Sequence, residues 1–235
     1  MQNRSTQLEI IDLGKPHYTD KEYNECLTLL DKISRYLGGD STNLWALKKV
    51  KSKFKTNPKL IIDFGCGGGF FSAKLAKLYP DCKIVGIDSS KDAISFAQNK
   101  FPTKKYSNLE FKLVDPENYI IPENSVDIII TTLTCHHLTD EQIIKFLKMS
   151  SLAVKQAVII NDLQRSKIAL FAFKLITPLF FNNRLIKHDG VLSIYRGFQY
   201  NDWKKYLQKA KLDFNYCSTK WKWAFRWIVL ITKNI

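Results

Sequence analysis

The sequence lacks the features that would place it across a membrane or in an oxidising compartment. Its five cysteines are odd in number and form no C-x-x-C pair, which argues against a disulfide framework and a zinc site. The longest strongly apolar stretch, residues 168–181, is interrupted by Lys174 and Pro178 and is too short to span a bilayer. The opening residues MQNRSTQLEI contain no apolar signal core. We therefore expect a cytoplasmic protein with reduced thiols and no metal.

Acidic residues are scarce in one part of the chain only. The 235 residues include 36 Lys and Arg against 22 Asp and Glu, a formal charge of +14. Residues 59–162 are balanced, with 12 basic and 12 acidic side chains, whereas residues 163–235 carry 14 and 3. This asymmetry excludes an evenly basic, nucleic-acid-coating protein. Hydrophobic and charged fractions of 45% and 25% are typical of an ordinary folded protein.

Short apolar segments alternate with amphipathic helical segments through the middle of the chain, which is typical of a parallel sheet covered on both faces. Helical spacing also predicts two helices near the start, over residues 20–37 and 44–54, and one late helix over 200–211. The predicted strands cover residues 59–64, 83–87, 109–114, 126–131, 157–160, 214–217 and 224–232. We expect an α/β fold with a doubly wound seven-stranded sheet that ends in an antiparallel strand.

These elements predict a single domain over residues 1–235. Residues 1–58 form an N-terminal helical cap, and residues 59–162 form a core that carries the binding site. Residues 163–199 are an insertion that we interpret as a helical lid, and residues 200–235 supply the last helix and strands.

A glycine cluster follows the first predicted strand, in the run Asp63-Phe64-Gly65-Cys66-Gly67-Gly68-Gly69. Glycines let the backbone turn tightly and approach a ligand that a Cβ atom would repel. The spacing G-x-G-x-G differs from the dinucleotide fingerprint, and the absence of a following Lys-Ser/Thr pair excludes a P-loop. Asp88 ends the next strand, where a carboxylate can accept hydrogen bonds from both ribose hydroxyls of a nucleoside cofactor.

With Asp115 ending the third strand, this pattern resembles the class I S-adenosylmethionine-dependent methyltransferases over about residues 59–162. The resemblance implies S-adenosyl-L-methionine as cofactor. It places Gly65, Gly67 and Gly69 against the methionine moiety, Asp88 on the ribose and Asp115 on the adenine. It further implies that Asp63 orders the loop and that the nucleoside pocket is lined by Ser89, Pro116 and Leu133.

Three further motifs resemble a bacterial subgroup of small methyltransferases that is similar to the quinone- and polyketide-biosynthesis enzymes. These motifs are Arg35–Gly39, the run from Asn161 to Arg165, and His188-Asp189-Gly190 with Ser193 and Arg196. The subgroup implies O-methylation of a lipophilic phenolic, quinone-like or polyketide-derived small molecule.

Histidines are the candidate catalytic residues, because a phenol with an ordinary pKa of about 10 needs a base poised near neutrality. His136 and His137 follow the fourth strand, and His188 lies in the insertion beside Asp189. We predict that His188, or failing that His137, removes or orients the acceptor proton. The alternatives are a structural histidine at a helix entry and a loop whose polar side chains satisfy one another.

The apolar segment 168–181 and the basic last third leave alternatives open. The segment is interpreted as a lid over a greasy acceptor, or as a core or dimer-interface helix, or as a peripheral membrane contact aided by attraction to anionic headgroups. The Lys- and Trp-rich residues 220–227 also permit an RNA methyltransferase, although nucleic acid is not our expectation. A third function, a non-catalytic cofactor-binding protein, and the oligomeric state stay open.

Overall fold

The computed structural model describes residues 3–115 and 118–234, and its strands form one seven-stranded sheet in the order β3-β2-β1-β4-β5-β7-β6. The first five strands pair in parallel, and β7 runs antiparallel to both neighbours. This confirms the predicted doubly wound sheet with an antiparallel final strand. The strands are β1 (Leu60–Phe64), β2 (Lys83–Asp88), β3 (Leu109–Leu113), β4 (Val126–Thr132), β5 (Val154–Leu163), β6 (Cys217–Lys222) and β7 (Arg226–Thr232).

Helices cover both faces of the sheet. The buried residues of β4 alternate between two core layers, with Ile129 packed towards α6 and α9 and its neighbours Ile128 and Ile130 packed towards α3 and α4. A strand buried on both faces must be apolar at every position, which explains its continuous hydrophobic run. The helices are α1 (Ile10–Leu13), α2 (Asp20–Tyr36), α3 (Gly39–Phe54), α4 (Phe70–Leu78), α5 (Lys91–Lys100), α6 (Asp140–Ala153), α7 (Lys167–Phe180), α8 (Arg184–Arg196) and α9 (Tyr200–Lys209).

The strand order creates a switch point between β1 and β4. The chain proceeds outward from β1 through β2 to β3, then returns to the other side of β1 for β4 and β5. Phe64 at the end of β1 lies beside Ile87 of β2 and Thr131 of β4, so the segments after these three strands meet at one edge. In doubly wound sheets this crevice is where ligands bind.

Element boundaries differ from the sequence prediction in β5, which covers Val154–Leu163 where residues 157–160 were expected, and in three further places. The helix expected from Leu44 begins at Gly39, and the strand expected over residues 214–217 is a 3₁₀ turn, Phe214–Tyr216, followed by β6. The Asp213 side chain accepts a hydrogen bond from the Asn215 backbone and so favours this turn. The polar cluster around His188 lies on helix α8 rather than in a loop, because the Asn183 side chain caps the helix at Ile186.

Helices α1 and α2 from the N-terminal region and α8 from the insertion form a common layer at one side of the sheet, whereas α3 packs on the sheet itself. Tyr23 and Leu27 of α2 pack with Leu185 and Ile186 of α8 in a third hydrophobic cluster. The Tyr23 hydroxyl lies 2.9 Å from the Ser90 hydroxyl at the start of α5, which ties this layer to the core. In the described part of the chain, no helix has both the length and the hydropathy needed to cross a membrane.

Candidate active site at the carboxyl edge of the sheet

The glycine loop turns back over the end of β2. The backbone amides of Gly65 and Cys66 both donate to the carbonyl of Ile87, at 2.8 and 3.0 Å, and Gly69 then begins α4. Gly69 adopts a left-handed φ of 73°, and a Cβ there would lie 2.5 Å from the Phe111 ring. Only glycine fits this position, because both the backbone angle and the neighbouring ring exclude a side chain.

Gly67 is the member of this loop that borders open space. Its φ is 50°, and the nearest atom to a Cβ built on it is Leu27 Cδ2, at 4.0 Å. Its amide donates to the Asp88 carboxylate at 2.8 Å. The loop and the acid that ends β2 are thus joined directly beneath α2.

Two acids of the predicted site lie on adjacent strand ends. Asp88 is half-buried and also accepts from the Ser90 amide at 2.9 Å, while burial raises the pKa of its carboxyl. Asp63 is buried and accepts from the Ser72 hydroxyl at 2.6 Å, which links β1 to α4. Burial raises the pKa of Asp63 to about 6. Asp63 therefore joins β1 to α4 in the buried interior, whereas Asp88 lies at the carboxyl edge of the sheet.

Three of the remaining predicted cofactor residues, Ser89, Leu133 and Asp115, follow the ends of strands β2, β4 and β3. Ser89 is exposed next to Asp88, and Leu133, with φ of 54°, donates its amide to the Asn161 carbonyl at 2.9 Å. Asp115 is exposed beyond β3 and accepts from the Asn118 side chain at 2.6 Å. Pro116 lies outside the described residues. A cavity of about 270 Å³ is lined by Phe64, Asn118, Tyr119, Leu138 and residues of α6.

His137 lies on the 3₁₀ turn after β4 and pairs with a residue of the N-terminal cap. Its Nδ1 lies 2.7 Å from Asp12 Oδ1, and the imidazole is 27% exposed. Burial lowers the pKa of His137, but the hydrogen bond to Asp12 and the carboxylates of Glu9 and Asp12 outweigh it and raise the pKa to about 9. A pKa of about 9 favours the protonated ring at neutral pH, and among the described residues Nε2 has no hydrogen-bond partner.

His136 is fully enclosed and serves a different purpose. Its Nδ1 lies 2.7 Å from Asp162 Oδ1, and its backbone amide donates to Asp162 Oδ2 at 3.2 Å. Burial by itself would raise the pKa of the Asp162 carboxyl. The interactions that lower it, chiefly those with the His136 imidazole, together outweigh burial, so the pKa lies below its ordinary value and the carboxyl stays ionised. The ring centroids of His136 and His137 lie 4.2 Å apart, so the buried His136 ring packs against the His137 ring.

Glu9 and Arg196 complete a buried charged cluster beside the two histidines. One oxygen of Glu9 accepts from the Ser193 hydroxyl at 3.0 Å, while Oε1 has no hydrogen-bond partner among the described residues. Burial raises the pKa of Glu9. Arg196 donates to Asp12 Oδ2 at 2.7 Å and to the carbonyl of His137 at 2.7 Å. The cluster thus ties the N-terminal cap, the 3₁₀ turn and α8 together.

Within the described residues, Glu9, His136 and His137 are also the group with a spacing that one metal ion could bridge, since their ligand atoms lie within 4.8 Å of one another. The Arg196 guanidinium lies 4.0 Å from Glu9 Oε1, and protonated His137 adds a second cation. These charges oppose a divalent ion. We assign no metal to this cluster.

His188 stands apart from the other histidines. It is 47% exposed on α8, and its Nδ1 lies 2.7 Å from Asp189 Oδ1. The same Asp189 carboxylate accepts the amides of Ile10 and Ile11, at 2.9 and 3.0 Å, and so anchors the start of α1. Asp189 therefore has a clear role in holding the N-terminal cap.

Sequence analysis missed Glu9, Asp12 and Tyr23. Asp12 is 125 positions away from its partner His137, and no spacing rule connects them. The one available signal was the sequence Glu9–Asp12, two acids three residues apart, which form a capping box around α1. That pattern predicts a helix start and indicates nothing about a histidine in the core.

The fold and this edge define a doubly wound protein with a nucleoside-cofactor crevice: a glycine loop, an acid on the neighbouring strand and a covering helix. A family model described as a methyltransferase domain matches residues 55–211. The chain belongs to this methyltransferase family, which confirms the resemblance to class I S-adenosylmethionine-dependent methyltransferases.

Curated relatives match parts of the chain. A malonyl-acyl-carrier-protein O-methyltransferase of Ilyobacter polytropus is 36% identical over 81 residues, 34% of this chain and 29% of the relative. A ubiquinone biosynthesis O-methyltransferase of Pelagibacter ubique is 33% identical over 110 residues, 46% of this chain and 43% of the relative. The matched stretches thus span less than half the length of these relatives.

Solved structures share the fold across most of the chain. The plantazolicin methyltransferase BpumL in complex with SAH aligns with a TM-score of 0.69 at 16% identity, covering 92% of this chain and 95% of that one. The magnesium protoporphyrin IX methyltransferase of Synechocystis with bound SAH aligns with a TM-score of 0.57 at 18% identity, covering 87% of each chain. These alignments show a common architecture.

Proposed function

We propose that the protein transfers the methyl group of S-adenosylmethionine to an oxygen of a lipophilic phenolic, quinone-like or polyketide-derived small molecule. The observation that carries this proposal is the junction of the glycine loop with Asp88 beneath α2, beside the His137–Asp12 pair. Relatives that carry O-methyltransferase names support the choice of oxygen.

The residues present fit the cofactor. The loop around Gly67 offers a backbone cradle that a larger side chain would fill, and Asp88 offers two carboxylate oxygens to ribose hydroxyls. We place the adenine near Asp115, Ser89 and Leu133, next to the cavity beside Phe64. When bound, S-adenosylmethionine supplies an electrophilic methyl group and leaves as S-adenosylhomocysteine.

His137 is our proposed acceptor-side residue, because it is the partly exposed histidine next to the cofactor edge. Asp12 holds Nδ1, so Nε2 can face an acceptor hydroxyl. The protonated ring orients the acceptor oxygen, and the neutral ring, whose share grows as the pH approaches 9, accepts its proton. The protein otherwise contributes alignment, which alone lowers the barrier of a displacement reaction substantially.

A catalytic role for His188 and a lid role for residues 168–181 both require a movement of the chain. His188 could reach an acceptor only if α8 or the N-terminal cap moved, since it is exposed and its partner Asp189 holds α1. A lid role for residues 168–181 likewise requires a rotation of α7, because its apolar side chains are turned to solvent. We propose that α7 borders the route by which a greasy acceptor arrives.

Nucleic acid is a weaker candidate for the acceptor. Lys222 lies over the ring of Trp45 at 3.5 Å, and Trp227 is half-buried and donates to the Phe198 carbonyl at 3.0 Å. Trp227 of the basic region is thus engaged within the protein rather than offered for base stacking, and Lys222 is occupied by a ring of α3.

A methyl-transfer assay tests the proposal directly. Protein incubated with S-adenosylmethionine labelled in its methyl group and with a lipid extract should give labelled, O-methylated products by mass spectrometry. A panel of simple phenols and quinols then defines the acceptor. Cofactor binding without any labelled product would favour the non-catalytic alternative, and label in added RNA would favour the RNA methyltransferase. A cytoplasmic location at the inner membrane surface is part of the same proposal.

A further inference from the structure

Helix α7 carries an apolar stripe that no described part of the protein covers. Leu179 is 77% exposed, Phe171 70% and Ile168 69%, and Leu175 lies between them on the same side of the helix. These side chains recur every three to four residues, so they line one face over three turns. Of the helix, only Ala169 and Thr177 are buried. Soluble proteins seldom expose a stripe of this kind without a partner.

The opposite side of α7 packs against helix α8. Phe173 packs against Gly190 of α8, where a Cβ would overlap its ring. Asn183 starts α8 and donates to the Glu22 carbonyl of α2 at 3.0 Å. Helices α7 and α8 therefore pack against each other, and α8 is bonded to α2, so the apolar stripe of α7 faces outward.

The charged residues of α7 itself are both basic. Lys167 and Lys174 are exposed two turns apart along its border, and neither forms an ion pair with a described residue. Lys187 follows on α8, and residues 163–188 contain no Asp or Glu at all. Unlike Lys167 and Lys174, Arg184 of α8 forms an ion pair, with Glu22 at 3.3 Å.

Exposed aromatic rings lie near the start of the helix. Trp221 donates its indole N–H to Gln164, three residues before α7, at 2.9 Å. Trp223 is 66% exposed in the turn after β6, and its carbonyl approaches Gly38 next to Tyr36, which is 82% exposed. Tryptophan and tyrosine at an apolar–polar boundary are typical of membrane-interface contacts.

We infer that α7, through this stripe and its bordering lysines, docks the protein on an anionic lipid bilayer, with the helix lying in the plane of the interface. An apolar face bordered by cations, within a stretch of 26 residues (163–188) that has no Asp or Glu, is the pattern of interfacial helices. A second copy of the chain fits less well, since a symmetric contact would bring Lys167 and Lys174 against the same cations of its partner. Lipid docking does not require methyl transfer, but it would deliver a lipophilic acceptor.

Vesicle sedimentation of the full chain tests this inference. The wild type should bind vesicles of equal parts phosphatidylcholine and phosphatidylglycerol far better than pure phosphatidylcholine, and added salt should weaken binding. The double variant Leu175→Asp, Leu179→Asp should lower the partition coefficient by roughly 10-fold or more. Ile120→Asp is the matched control, since Ile120 is 78% exposed in the connection between β3 and β4; it should leave vesicle binding unchanged.

A second pair of variants isolates the charge. Lys167→Gln with Lys174→Gln should weaken binding to the anionic vesicles by roughly 10- to 30-fold, because each lysine near the surface contributes about 1 kcal/mol. Lys104→Gln with Lys105→Gln removes the same charge from an exposed loop after α5 and should have little effect.

Three outcomes would overturn the inference: no binding by the wild type, equal binding by the α7 variants, or a dimer that Leu175→Asp, Leu179→Asp dissociates. Melting curves and S-adenosylhomocysteine binding by each variant show that the fold and cofactor site persist. Loss of lipid binding with intact cofactor binding thus separates this surface from the proposed reaction.

Discussion

The proposed cofactor edge (the glycine loop with Asp63 and Asp88) and the proposed acceptor side (His137 with Asp12 and Arg196) are held together by different kinds of contact. At the cofactor edge, contacts are short in sequence: the Gly67 amide meets Asp88 21 positions later, and Asp63 meets Ser72 nine positions later. On the acceptor side, Asp12 meets His137 125 positions away, and Arg196 meets Asp12 at a separation of 184.

This difference has a structural consequence. The cofactor edge is held by a backbone turn that belongs to the sheet, so it stays in place whatever covers it. The acceptor side exists only while the N-terminal cap and α8 are docked, because they supply Asp12 and Arg196. Asp12 and Arg196 therefore stay beside His137 only while α1 and α8 remain in place, whereas the contact between Gly67 and Asp88 lies within the loops of the sheet itself.

The largest effect should come from the acceptor side. His137→Ala should lower turnover by roughly 10²–10⁴-fold, the usual range for general acid–base catalysis, and leave cofactor affinity unchanged. Higher pH should partly rescue the variant, since a phenolic acceptor then ionises unaided. Steady-state rates and calorimetry measure both. His188→Ala is the companion variant; near-normal turnover of both at neutral pH would rule out a histidine on the acceptor oxygen.

Asp88→Ala should disturb the cofactor edge alone. Hydrogen bonds to a charged group contribute about 1.5–3 kcal/mol each, so losing those to the ribose should weaken S-adenosylhomocysteine binding by roughly 100-fold or more. Asp88→Asn, which keeps one acceptor oxygen, should retain part of the affinity. Asp81→Ala, at an exposed acid before β2, is the control in calorimetry. Equal affinity of wild type and Asp88→Ala would refute the ribose assignment.

A pair of glycine substitutions compares the two regions in stability. Gly69 and Gly14 both have left-handed φ angles, 73° and 70°, but a Cβ at Gly14 meets nothing within 4 Å. Gly14→Ala, at a ψ of −169°, should cost about 1–3 kcal/mol of backbone strain alone. Gly69→Ala, at a ψ of 7°, should cost about 1–2 kcal/mol of strain and about 1–3 kcal/mol more for overlap with Phe111. Denaturant unfolding measures the difference; equal losses would show that the loop yields.

Asp12→Asn should produce the smallest change, a shift in titration. Without this carboxylate, the pKa of His137 should fall from about 9 towards its ordinary value of about 6.5. Since the folded-state pKa lies above the unfolded one, the pair stabilises the protein fully below about pH 6.5 and loses that effect as pH rises through 9. NMR titration of the ring follows the shift, and an unchanged pKa would mean that Asp12 does not control it.

Much of the fold could be predicted because its signals are local. The alternation of apolar strands and amphipathic helices predicted the sheet, since burial on both faces requires continuous apolar strands such as β4. The clearest error arose where a short side-chain cap decides the backbone: Asp213 favours a 3₁₀ turn before β6. Asn183 likewise starts α8 in a segment for which a loop was one of the alternatives. Such caps contribute only about 1 kcal/mol each and leave no periodic pattern.

The sequence by itself determined the strand alternation, the glycine loop after β1 and the acid that ends β2. Each depends on backbone geometry and hydrophobic spacing within a few residues. Only the tertiary structure decided that Asp12 pairs with His137 and that the buried His136 pairs with Asp162. It also decided that the apolar side of α7 faces outward. Those outcomes depend on how whole elements pack, and a charge or an apolar stripe looks the same in the sequence whether its partner is another helix, a distant carboxylate or solvent.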